Sequence, residues 1–85
     1  MAKYSYHRLD ANHLIIRAGL EAAGVRVIPG GPGDFIAGFR GATFLLEVKT
    51  VKGKLGPSQL AFQQTWPGHY AVVRTLDDAL RAVGL

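Results

Sequence analysis

Three residues in this 85-residue chain have the types and spacing to do chemistry together: Asp34, Glu47 and Lys49. Residues two apart on a strand point the same way, so Glu47 and Lys49 share a face while Phe44, Leu46 and Val48 take the other. If the segment around Asp34 pairs with that strand as a hairpin, its carboxylate reaches the space in front of Glu47. Two carboxylates and an amine then converge on one spot, an arrangement for holding a hard cation and activating water beside it. Oxygen-only ligands select Mg²⁺ or Mn²⁺. Asp34 and Glu47 are the candidate side-chain ligands, with the Val48 carbonyl as a third. Lys49 could orient attacking water or neutralise charge building in a transition state. The competing reading of the same residues is a solvated strand face on which Glu and Lys alternate as a weak surface pair.

The elements that must position these residues can be read around them. Pro29 to Gly33 cannot continue regular structure and is expected to turn. Asp34 to Ala37 reads as a short strand, Arg40-Gly41 as a tight turn, and Thr43 to Val51 as the strongest strand of the chain. Dinucleotide and P-loop signatures need a helix directly after their glycines. Gly30, Gly31 and Gly33 are followed by a strand, so they are read as backbone permissiveness beside a site. Upstream, Asp10 is expected to cap a helix from about Ala11 to Ala23 whose apolar stripe is Leu14, Ile15, Ala18 and Ala22. Gly24 ends that helix as a left-handed cap, Gly19 marks close packing of another backbone within it, and Val25 to Ile28 follows as a strand. Downstream, Lys52 to Gly56 is a basic loop, Pro57 opens a helix from Ser58 to about Trp66, Tyr70 to Arg74 is a strand, and Leu76 to Val83 a last helix. The expected order is α-β-β-β-α-β-α: an α/β fold with a small mixed sheet flanked by helices. Met1 to Leu9 gives no clear element and is expected to be a flexible or dimer-packing arm.

Length allows one domain, residues 1–85. With 48% hydrophobic residues the chain is expected to fold, and so short a chain with that content is a candidate for self-association. The absence of cysteine excludes disulfides and thiolate zinc sites and fits a reducing cytoplasm. No apolar run approaches the roughly 20 residues that span a bilayer, and the first residues lack the apolar core of a signal peptide. Ten Lys and Arg against six Asp and Glu favour an anionic partner, nucleic acid being the commonest.

The runs Gly33-Asp34-Phe35-Ile36, Phe44-Leu45-Leu46-Glu47-Val48-Lys49-Thr50 and Gly53-Lys54-Leu55-Gly56-Pro57-Ser58-Gln59 together resemble the PD-(D/E)xK nucleases. The closest likeness is to their virus-type replication-repair branch, the VRR-NUC domain, in its short stand-alone phage form. The doublet here is Gly33-Asp34, with the proline displaced to Pro32. The resemblance covers Gly24 to about Arg74. It implies a divalent metal and cleavage of DNA, with Asp34, Glu47 and Lys49 at catalytic positions. It also implies a role for Gln59, whose amide could bond a phosphate or the attacking water. A homodimer acting on branched DNA such as a four-way (Holliday) junction, in a bacterial or phage-infected cell, is a further implication. The family's first-helix glutamate has no clean counterpart: Glu21 lies near the helix end, while Asp10 and His13 lie nearer the expected location.

The remaining chemistry-bearing residues read more plainly. Lys52 and Lys54 are candidate phosphate contacts on their loop, or solvated charges. His7, His13 and His69 have no ligand spacing and read as surface or packing histidines, with His69 within reach of DNA after the Pro67-Gly68 turn. Phe62 and Trp66, at helical spacing, read as packing residues before base-stacking ones. Two rivals to the nuclease are a non-catalytic DNA-binding or architectural module of the same fold, and a subunit of a larger assembly. The carboxylate pair argues against the first, because it would repel DNA unless a cation lay between.

Overall fold

A computed structural model describes the backbone of residues 6–85 and the side chains of residues 11–85. Its elements are α1 (Tyr6–Ala22), β1 (Arg26–Pro29), β2 (Phe35–Phe39), β3 (Ala42–Val48), α2 (Pro57–Thr65), β4 (His69–Val73) and α3 (Leu76–Ala82). The α-β-β-β-α-β-α order matches the expectation. The strands form a single mixed sheet in the order β1-β2-β3-β4, antiparallel except for the parallel β3–β4 pair. Among the described residues no helix is long and apolar enough to cross a membrane.

Local chemistry explains the joints. Gly24, at φ 91°, lets the N–H groups of Gly24 and Val25 turn back onto the carbonyls of Glu21 and Leu20, both at 3.0 Å. This is a Schellman closure, with buried Val25 and Leu20 as its apolar contact. Arg40 and Gly41 both take positive φ, at 52° and 82°, the two-residue turn whose twist matches an antiparallel hairpin. Pro29 ends β1 on the sheet edge, where its missing N–H interrupts no ladder. Thr75 caps α3 by accepting from the Asp78 N–H.

The core lies on one sheet face. Val27, Phe35, Ala37, Phe44, Leu46, Val48 and Val73 pack there against Ile16 and Leu20 of α1 and Ala79 and Val83 of α3. On the other face, Leu45, Glu47, Tyr70 and Val72 sit side by side in register. There Phe62 of α2 meets the Tyr70 ring edge-on at 5.1 Å.

Three expectations about α1 need correction. The helix begins at Tyr6, so Asp10 lies inside it and is not its N-cap. Nothing in Tyr6 to Leu9 breaks a helix, and an interior Asp costs only about 0.7 kcal/mol relative to Ala. Tyr6 to Leu9 of the expected arm are therefore helical; Met1 to Ser5 lie outside the described residues. Second, the buried side of α1 is Ile16 and Leu20, whereas Leu14 and Ile15 are 65% and 61% exposed and Ala18 and Ala22 are exposed too. Both sides of α1 are apolar, so periodicity alone does not choose between them. Third, what Gly19 packs against is a side chain: a Cβ there would lie 2.3 Å from Leu76. The strand β3 also stops at Val48, short of Val51, because Thr50 to Gly53 closes a turn through a Gly53 N–H bond to the Thr50 carbonyl.

Candidate active site

Asp34 is placed by its own backbone. The turn before it closes with a Gly30 N–H bond to the Asp34 carbonyl at 2.8 Å, and the Asp34 N–H bonds the Leu46 carbonyl at 2.8 Å. Gly33 is obligatory here because a Cβ would lie 2.6 Å from the Leu46 carbonyl oxygen. The glycine cluster thus lets the chain press against β3 as it enters β2, which is the role the sequence suggested. The Asp34 carboxylate continues that contact: Oδ2 accepts from the Val48 N–H at 2.7 Å.

Glu47 lies next to Val48 on the opposite sheet face and is only 6% exposed. Its Oε2 accepts from Gln59 Nε2 at 3.1 Å and lies 3.9 Å from Lys49 Nζ. Gln59 Oε1 accepts from the Gly56 N–H at 2.9 Å. Both ends of the amide are therefore used within the protein, and Gln59 holds Glu47 in place from the first turn of α2. Burial, followed by the charge of Asp34 and a hydrogen bond shared with it, pushes the Glu47 carboxyl from 4.5 up to about 7, with Lys49 and Gln59 pulling the other way. Burial and the same two carboxylates raise Tyr70 as well.

Asp34, Glu47, Val48 and Lys49 line one cavity of about 280 Å³, together with His13, Thr50 and Gly53. Lys52 and Lys54, exposed on the loop, do not line it. His69 tilts over Phe44 at 4.7 Å, and Trp66 stacks on Phe62 while its indole edge crowds Gly68. The Trp66 ring is thus engaged in packing, as the spacing suggested.

Two contributors are not assigned to the site by the sequence reading, although the family resemblance places its first-helix position near His13. His13 reaches the cavity from α1, its Nε2 3.9 Å from Asp34 Oδ2. Arg74, just after β4, donates to the carbonyls of Thr50 and Gly53, each at 2.6 Å, and so pins the loop that forms one wall. Its own N–H is held by the Asp78 carboxylate at 2.9 Å, and that bond leads the effects that lower the Asp78 pKa. Arg74 owes its role to the parallel β3–β4 pairing, which brings the ends of the two strands together.

A cation test can be put to these residues. Among the described residues no three His, Cys, Asp or Glu side chains converge as metal ligands. Two carboxylates, Asp34 and Glu47, line the same cavity, and burial, reinforced by the charge of Asp34, retains a proton on Glu47 near neutral pH. Mg²⁺ commonly takes one or two carboxylates and keeps water for the rest of its shell. The donor set fits such a cation in place of that proton. Compared with protein-family models, with curated proteins and with solved structures, the chain matches none.

Proposed function

We propose that this protein is a metal-dependent nuclease that hydrolyses DNA phosphodiesters, with a PD-(D/E)xK nuclease-like fold of the VRR-NUC type. The observation that carries the reading is the buried Glu47 carboxylate, with the half-buried Asp34 and Lys49 beside it, in one cavity. A carboxylate buried against another carboxylate is costly, and such arrangements concentrate at functional sites. In this reading Asp34, Glu47 and the Val48 carbonyl hold Mg²⁺ or Mn²⁺. When bound, the cation polarises the phosphoryl oxygen and lowers the pKa of a water. The chain's own residues do the rest. Lys49 donates toward the charge that builds on the phosphoryl group. Gln59 fixes the Glu47 carboxylate. Arg74 fixes the loop that closes the cavity and carries Lys52 and Lys54, which meet phosphates further along the strand.

A homodimer belongs to the same proposal. The exposed side of α1, with Leu14, Ile15, Ala18 and Ala22, supports it, because a helix apolar on both sides leaves one of them wanting a cover. A two-fold pair carries two sites, which suits opposing strands of branched DNA. Sedimentation equilibrium checks the stoichiometry, with twice the chain mass expected.

The activity is tested with labelled linear duplex, single-stranded, flap and four-way-junction DNA in Mg²⁺, Mn²⁺ and EDTA. Cutting that requires metal and disappears in Glu47→Ala and Lys49→Ala is expected, with branched DNA preferred. Binding without cutting under every metal would instead leave a DNA-binding module.

A further inference from the structure

His13 faces the cavity and has no task in the chemistry outlined above. It is carried on the side of α1 that also buries Ile16. Its ring stands edge-on to Phe35, with centroids 5.5 Å apart, which fixes the plane of the imidazole. Its side chain is 25% exposed, so the ring is held against the protein yet open to the cavity. The Asp34 oxygen nearest to it already accepts the Val48 N–H, and at 3.9 Å Nε2 is too far to bond it.

The lining is divided by chemistry. Asp34 and Glu47 supply acceptors, and each has one donor 3.9 Å away: Lys49 Nζ beside Glu47 and His13 Nε2 beside Asp34. A phosphodiester entering this cavity would present two non-bridging oxygens, and the two donors that line it, Lys49 and His13, could each take one. A third metal ligand is the other use for an imidazole in this position. Against it, no three His, Asp or Glu side chains among the described residues converge closely enough to share an ion.

We propose that His13 is a substrate contact, donating a ring N–H to a non-bridging oxygen of the DNA phosphodiester held in this cavity, opposite Lys49. The inference rests on the nuclease reading and adds a residue to it. It is tested by binding of a fluorescein-labelled synthetic four-way junction in Ca²⁺, used in place of Mg²⁺ to hold the complex short of cleavage. Mn²⁺ affinity of the DNA-free protein is measured in parallel by calorimetry, and melting temperature confirms the fold. His13→Ala is expected to weaken junction binding about tenfold, as loss of one hydrogen bond to a charged group does. Its Mn²⁺ affinity should stay within about twofold of wild type, a change worth less than 0.5 kcal/mol. His13→Gln keeps an N–H donor and is expected to recover most of the binding. Unchanged junction affinity in His13→Ala would overturn the proposal. So would a fall of about tenfold in Mn²⁺ affinity, which would make His13 a metal ligand. Wild-type protein that binds no DNA in any cation would overturn the nuclease reading along with it, whereas wild-type binding equal to that of His13→Ala removes only the inference.

Discussion

Leu46 and Glu47 are neighbours on β3, are almost equally buried, and face opposite sides of the sheet. Leu46 packs within the apolar core, and its burial stabilises the fold by about 2 kcal/mol or more. Glu47 is buried against Asp34, and its carboxyl resists ionisation until about pH 7. One side of the strand is optimised for stability, while the other retains an arrangement that costs stability. The polar group that the fold buries at a cost, and holds with specific bonds such as that from Gln59, is the first candidate for function.

Substitutions on the two faces of β3 should separate their roles. Leu46→Ala leaves a cavity among Phe35, Val48 and Val73, and is expected to cost about 4 kcal/mol in urea unfolding. Gly33→Ala forces a methyl onto the Leu46 carbonyl, and should cost about 3 kcal/mol while moving Asp34. It should therefore lose both stability and metal affinity, which Leu46→Ala need not do. Glu47→Gln removes a buried charge and its repulsion from Asp34, and should raise the stability of metal-free protein by about 2 kcal/mol at pH 8, with cleavage abolished. The sign with pH follows from a carboxyl raised from 4.5 to about 7. The folded state holds the proton more tightly than the unfolded one. The contribution of Glu47 is therefore fully present below about pH 4.5 and is lost as pH rises through 7. Melting temperature of metal-free wild type should fall across that window more steeply than that of Glu47→Gln. The smallest effect on stability is expected from Lys52→Ala with Lys54→Ala. Both are exposed, so melting should hardly change, whereas the salt dependence of DNA binding should flatten by about one unit of slope per lysine.

Much of the architecture is legible in the sequence because its signals are local. The glycine at a helix end, the Arg40-Gly41 hairpin turn, the alternation on β3 and the proline that opens α2 each act within a few residues. Asp34, Glu47 and Lys49 are legible for the same reason: the alternation along β3, continued one residue past its end by the Lys49 N–H bond to the Val73 carbonyl, puts Glu47 and Lys49 on one face, and the Gly33 turn brings Asp34 to them. What the sequence does not announce is tertiary. The choice between two apolar sides of α1 depends on where Gly19 meets Leu76. His13 depends on how α1 lies over Phe35, and Arg74 on the β3–β4 pairing. Gln59 is legible as a residue near the site, but its use as a clamp on Glu47 depends on the bond from the Gly56 N–H that fixes the far end of its amide.

In the proposed function, the Asp34–Glu47 pair exchanges a proton for a divalent cation. The most direct test is calorimetric titration of the DNA-free protein with Mn²⁺ at pH 6, in two buffers of different ionisation enthalpy. The account expects one saturable site per chain with release of a proton on binding, and loss of both in Glu47→Gln. No saturable binding, or binding unchanged in Glu47→Gln, would contradict it.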